Sequence, residues 1–143
     1  LMLTGALLGV NVRVGCPKGF EPSAAVLQQA QTIAASRGCA VEVVHEPQAA
    51  VRGAHALYTD VWASMGQEEE QAERERAFAG WCLDEALVAE ADRQAIVLHC
   101  LPAHRGEEIS AGAMEGASSR VFDQAENRLH AQQALLAALL GGL

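Results

Sequence analysis

The residues best equipped for chemistry lie in one short stretch, His99-Cys100-Leu101-Pro102-Ala103-His104-Arg105-Gly106. A thiol acts as nucleophile or base through its thiolate, and an ordinary cysteine titrates near ~8.5 unless positive charge lowers it. His99, His104 and Arg105 are the neighbours that would supply such a field to Cys100; a buried structural cysteine is the competing reading. The thiol and imidazoles are also metal-ligand types. Zinc takes about three or four ligands at characteristic spacing, and no second cluster completes a set, so no metal is expected. His45, His55 and His130 read as surface or capping residues.

A second group begins at Tyr58-Thr59-Asp60. A carboxylate at a strand terminus can accept a proton or hold an ammonium group, although a turn or capping aspartate is equally common there. Ser64-Met65-Gly66 follows as a turn, and backbone N–H groups in such a turn can receive a carboxylate. Arg128, in Glu126-Asn127-Arg128, reads as a first-turn residue of the last helix. A cation there opposes the helix dipole, and a local rule broken without visible gain points toward function. A solvated arginine paired with Glu126 or Asp123 is the plainer reading. No G-x-G-x-x-G or P-loop pattern occurs, so no nucleotide cofactor is expected.

The elements that must position these residues alternate. Ala95–Leu98 is a short apolar run that reads as a buried parallel strand, and Pro102 cannot continue its ladder because it has no N–H. Before it come a helix over Leu1–Leu8, a strand over Val12–Cys16 and a helix over Ala24–Ser36, with Ser23 as N-cap and Gly38 as stop. A strand over Val41–Val44, a short helix from Pro47, and a strand over Ala56–Thr59 follow. Helices over Glu68–Phe78 and Asp84–Ala91 lead to the central strand. After it the pattern predicts a helix over Glu107–Met114, a strand at Val121-Phe122 and a final helix over Ala125–Leu140, with Leu129, Leu136 and Leu140 on one face. Recurrent β-then-α order predicts an α/β fold, a three-layer α/β/α domain with a parallel, Rossmann-like sheet. In such sheets ligands bind beyond the carboxyl ends of the strands, where both reactive groups fall.

Composition narrows the class. The 143 residues carry a formal charge of −8, which argues against nucleic acid or an anionic membrane as partner. No run approaches the ~18–20 apolar residues of a membrane span, and Leu1–Val10 lacks the basic start and cleavage site of a signal peptide. Cys16, Cys39, Cys82 and Cys100 form no C-x-x-C pair and fall on or beside regular elements, which fits free thiols in a cytoplasmic protein. The chain opens on Leu1, directly into helix-like sequence, which suggests a piece of a longer protein.

Three segments together resemble the ornithine carbamoyltransferases: Asp60-Val61-Trp62-Ala63-Ser64-Met65-Gly66, His99-Cys100-Leu101-Pro102, and Phe122-Asp123-Gln124-Ala125-Glu126-Asn127-Arg128. The Ser-Met-Gly turn resembles the ornithine-selective members rather than the aspartate ones. The resemblance implies that residues 1–143 are the C-terminal, ornithine-binding domain of a two-domain transferase, inactive alone. The N-terminal carbamoyl-phosphate-binding domain, with its Ser-Thr-Arg-Thr and His-Pro-x-Gln motifs, is not in this sequence. It further implies that Asp60, Ser64 and Met65 hold the α-amino and carboxylate end of L-ornithine. Cys100 would sit at the δ-amine as proton acceptor, with Asp60. The carbonyls of Cys100 and Leu101 would hold the carbamoyl NH₂ of carbamoyl phosphate, and Arg128 its oxygen. The implied product is L-citrulline, in arginine biosynthesis, made by a homotrimer without a cofactor, and the helix over 125–143 would pack toward the N-terminal domain. A non-catalytic amino-acid-binding module, or a transferase for putrescine or N-acetylornithine, are the alternatives.

Overall fold

The computed structural model describes residues 1–63 and 68–141. They form two compact units, Leu1–Arg52 and Gly53–Leu143. Every strand pairing is parallel and helices alternate with strands, which is the α/β, Rossmann-like class predicted.

In the first unit the order is α1 (Met2–Leu7), β1 (Val12–Gly15), α2 (Ala24–Arg37), β2 (Val41–Val44) and α3 (Pro47–Val51). β1 and β2 pair from Val12↔Val41 to Gly15↔Val44. The core is built on small residues: Ala6, Ala30 and Ala34 are buried with Val41, and Leu3, Val12, Leu27 and Ile33 pack against them. Alanines on facing helices let α1 and α2 approach closely. Gly5 serves the same end, because a Cβ there would meet Val12 Cγ2 at 2.5 Å. α2 ends as expected, with Gly38 left-handed at φ 70°. Ser23 occupies the N-cap position, yet its hydroxyl makes no capping hydrogen bond. Arg13 joins β1 to its neighbours: Nε donates to Glu42 at 2.6 Å, and Nη1 donates to the carbonyls of Ala49 and Arg52 at the end of α3. A cation there suits the helix dipole.

The second unit holds β3 (Ala56–Thr59), α4 (Glu68–Ala77), α5 (Glu85–Glu90), β4 (Ile96–His99), α6 (Ala111–Glu115) and α7 (Val121–Leu139). β3 and β4 pair from Ala56↔Ile96 to Thr59↔His99. The other edge of β4 is covered, since Val97 accepts from Arg120 N at 2.8 Å and donates to Ser118 O at 2.9 Å. Val97, Ile109 and Val121 are fully buried around this contact. Among the described residues no helix is long and apolar enough to cross a membrane.

Two expectations fail here. Residues 107–110 do not start a helix. Leu83 pairs with this stretch, donating to Glu108 O and accepting from Ser110 N, and α6 begins only after Ser110, whose hydroxyl caps Ala113 N at 2.9 Å. Val121-Phe122 is not a strand either. Although both residues favour strands, burial of Val121 at the foot of β4 decides the matter, and the pair forms the first turn of α7. The expected Ser64-Met65-Gly66 turn lies outside the described residues.

Candidate functional site

Parallel pairing of Thr59 with His99 brings the next two residues, Asp60 and Cys100, to the same end of the strand pair. The Asp60 carboxylate and the Tyr58 hydroxyl both act on the Cys100 thiol there, in opposite senses. Partial burial, and then the carboxylate as acceptor and as charge, hold the thiol above its ordinary pKa. Cys100 therefore rests protonated. The positive field expected from its neighbours is not directed at it. His99 faces Glu108, His104 Nδ1 lies 3.4 Å from Glu107, and Arg105 Nη2 lies 2.9 Å from Glu115.

His99 instead shapes the chain around the thiol. Its side chain and that of Glu108 are both 0% exposed. Nδ1 accepts from Leu101 N at 2.8 Å, so Nε2 carries the ring proton and donates to Glu108 Oε1 at 3.0 Å. The same oxygen accepts from His104 N at 2.7 Å. One buried carboxylate thus anchors the loop at both ends. Leu101 stands between them at φ 59°, a left-handed conformation unusual for leucine, and a cis bond links it to Pro102. Its bond to His99 holds that conformation next to Cys100.

Gln124, in the first turn of α7, joins the two strand ends. Its Oε1 accepts from His99 N at 3.1 Å, and its Nε2 donates to the Tyr58 hydroxyl at 3.5 Å. Arg128 lies four residues further along the helix and so on the same face. Because α7 starts at Val121, Arg128 lies well inside the helix rather than in its first turn, and the dipole argument for it does not hold. Among the described residues its exposed guanidinium forms no ion pair, neither with Glu126 nor with Asp123. Asp123 faces Arg120 at 3.9 Å, and Glu126 faces His130 at 3.8 Å. Ser64 and Met65 lie outside the described residues. On either side of them, Trp62 stacks on Phe78 with ring centroids 6.0 Å apart.

His99, Cys100 and His104 do not converge as metal ligands. The donor atoms of His104, Glu107 and Glu108 do lie within 4.8 Å of one another, but the first two face each other as an ion pair and Glu108 Oε1 is engaged by two N–H groups. A groove of about 230 Å³ between α5 and α6, lined by Glu85, Val88, Gly112 and Gly116 among others, shares none of the strand-end residues.

Tyr58, Gln124 and Glu108 are the participants that sequence reasoning missed. Tyr58 was within reach of it, since residues two apart on a strand share a face and Asp60 follows at that interval.

Residues 1–139 match the family model described as "Aspartate/ornithine carbamoyltransferase, Asp/Orn binding domain". The chain belongs to this family. It is 73% identical, over all 143 residues, to the ornithine carbamoyltransferase of Parasynechococcus marenigrum (strain WH8102), of which it covers 45%. Solved carbamoyltransferase structures match as well. That of the Pyrococcus furiosus ornithine carbamoyltransferase has a TM-score of 0.91 at 46% identity, covering 99% of this chain and 45% of that one. That from Gloeobacter violaceus has a TM-score of 0.87 at 48% identity, covering 97% and 46%. This carbamoyltransferase chain thus spans about half the length of the relatives it matches.

Proposed function

We propose that residues 1–143 supply the ornithine site of a protein that transfers the carbamoyl group of carbamoyl phosphate to the δ-amine of L-ornithine, releasing L-citrulline and phosphate. The observation that carries this reading is that Cys100 and Asp60 follow paired residues at the same end of two parallel strands, where the carboxylate acts on the thiol. The δ-amine is an ammonium in water and must lose a proton before it can attack a carbonyl. A thiol beside a carboxylate offers the route: the ammonium proton passes to sulfur as the thiol proton passes to Asp60. The amine becomes neutral, the thiol is re-formed, and Asp60 ends protonated. The N–C bond then forms as the C–O bond to phosphate breaks, and the second amine proton leaves on the departing phosphate. A closed, water-poor site and positioning provide much of the remaining rate.

In this reading Asp60, Ser64 and Met65 hold the α-amino and carboxylate groups of ornithine. The carbonyls of Cys100 and Leu101 hold the carbamoyl NH₂. Arg128, whose guanidinium has no paired acid among the described residues, meets the carbamoyl oxygen where negative charge develops. An N-terminal domain of the same protein provides the phosphate site, α7 packs toward it, and the assembly is a cytoplasmic homotrimer serving arginine biosynthesis.

The test is citrulline formation by the full-length protein, with ornithine titrated against it and against its Cys100→Ala variant. Wild-type activity with a kcat loss of roughly 10²-fold or more in the variant is the expected result for a group at the proton-transfer step. Absence of citrulline from the wild type would favour a non-catalytic amino-acid-binding role. Activity on putrescine or N-acetylornithine alone would reassign the substrate.

A further inference from the structure

Gln124 does for β4 what a neighbouring strand would do. On the edge of β4 away from β3, Val97 donates to Ser118 O at 2.9 Å and accepts from Arg120 N at 2.8 Å. The pairing is parallel, with Val97 opposite Ser119. The chain then winds into α7, and the next N–H along that edge, His99 N, meets a side chain instead of a backbone carbonyl. Gln124 Oε1 accepts it at 3.1 Å. The amide is thereby oriented, and its Nε2 faces the Tyr58 hydroxyl of β3 at 3.5 Å.

Two contacts set the helix against the strand: Arg120 is level with Val97, and Gln124 with His99. Two strand residues climb about 6.6 Å and four helical residues about 6 Å. α7 therefore climbs beside β4 in the same direction and at nearly the same rate. One more turn carries Arg128, on the Gln124 face, ~6 Å further, to the level of Leu101. That is where the chain leaves β4. We propose that Gln124 is a positioning residue: as a side-chain rung on the edge of β4 it fixes the height of α7, and so holds Arg128 level with the carbonyls of Cys100 and Leu101. Val121, fully buried, anchors the start of α7, but apolar burial is non-directional and does not set a height. A hydrogen bond of fixed length does. Height matters because a donor to developing charge acts at about 2.7–3.1 Å, and a misplacement of about 1 Å costs on the order of 10²-fold. The kinetic consequence rests on the transfer reading; the rung itself does not.

The test uses the full-length protein and two readouts, citrulline formation and hydrogen exchange at the His99 amide, resolved by mass spectrometry on overlapping peptides. Gln124 is half-buried, and Gln124→Leu keeps its size while removing both polar ends. In that variant kcat is expected to fall roughly tenfold or more with little change in the KM for ornithine. Exchange at His99 is expected to quicken several-fold. Gln124→Glu keeps an oxygen for His99 N and restores much of the lost kcat. Arg128→Ala separates positioning from general support. If Gln124 acts through Arg128, adding Gln124→Leu to Arg128→Ala costs little more, whereas losses that multiply in full overturn the proposal. So does a wild-type kcat in Gln124→Leu, or a Gln124→Glu variant as slow as Gln124→Leu. A wild type that forms no citrulline refutes the transfer reading and the kinetic role of Gln124 together. Faster exchange at His99 in Gln124→Leu then still shows the rung, and unchanged exchange removes it.

Discussion

Asp60 and Tyr58 act on the same sulfur in opposite senses, so the two substitutions separate by sign. The Asp60 carboxylate holds the proton on Cys100 both as acceptor and as negative charge. Asp60→Asn removes the charge and weakens the acceptor, so the thiolate forms at lower pH. Alkylation of Cys100 at a fixed pH near 7 is expected to speed up in this variant, while Tyr58→Phe slows it. A general loosening of the site would speed both. Glu108 invites a second prediction. Alanine there leaves the His99 Nε2–H unpaired in a fully buried setting and the His104 N–H unpaired in a partly buried one, at up to about 1–3 kcal/mol for each orphaned donor. Glutamine keeps an oxygen for both. Glu108→Ala is expected to lower the urea midpoint by the equivalent of about 2–5 kcal/mol at unchanged slope, with Glu108→Gln losing much less. Cys100 and Asp60 were legible because residue type, strand end and spacing coincide in them. Glu108 was not, because its partner is chosen by the reversal of the chain at Leu101, and no periodicity encodes a reversal.

The elements were legible where local chemistry and tertiary packing agree. β2 and β3 fall on the residues the alternation predicts, and α2 stops where Gly38 takes a left-handed turn. α5 starts at Asp84, whose carboxylate accepts from Leu87 N at 2.9 Å. The failures come where packing overrides propensity, as at Val121-Phe122, or where a single backbone bridge, Leu83 with Ile109, holds the chain extended before α6. The first unit makes a sharper demand on shape. α1 and α2 meet across Ala6, Ala30 and Ala34, none more than 1% exposed, and larger side chains such as Leu3, Leu27 and Ile33 pack around these three. Ala30→Leu gains nothing in helix propensity and overfills the contact, at a cost of about 1–3 kcal/mol. Thermal unfolding of the variant is expected at a lower temperature. An unchanged midpoint would mean that α1 can lift off α2 without loss.

For the whole molecule, the open question is what meets α7. Of its residues Val121 is buried, whereas Phe122, Leu129, Leu135, Leu136, Leu139 and Leu140 are 58–84% exposed. Phe122, Leu129 and Leu136 recur at intervals of seven and therefore lie along one side of the helix. Scattered exposed leucines need no explanation, but a continuous apolar stripe marks an interaction surface. The ornithine carbamoyltransferase relative of which the chain covers 45% has a further half, and under the proposed function an N-terminal domain is the occupant to test. Leu136→Asp separates the alternatives. If the stripe packs on the N-terminal domain, the substitution costs the full-length protein about 2–3 kcal/mol, the worth of a buried leucine, and leaves residues 1–143 alone nearly unaffected. If a second copy of the chain covers it, the loss in the full-length protein grows as the concentration is lowered, because association then contributes to the measured stability. Denaturant unfolding of both proteins over a hundredfold range of concentration distinguishes the two. Equal, negligible losses throughout would show that the stripe faces water in the intact protein too, and the expected packing of the last helix toward the N-terminal domain would fall.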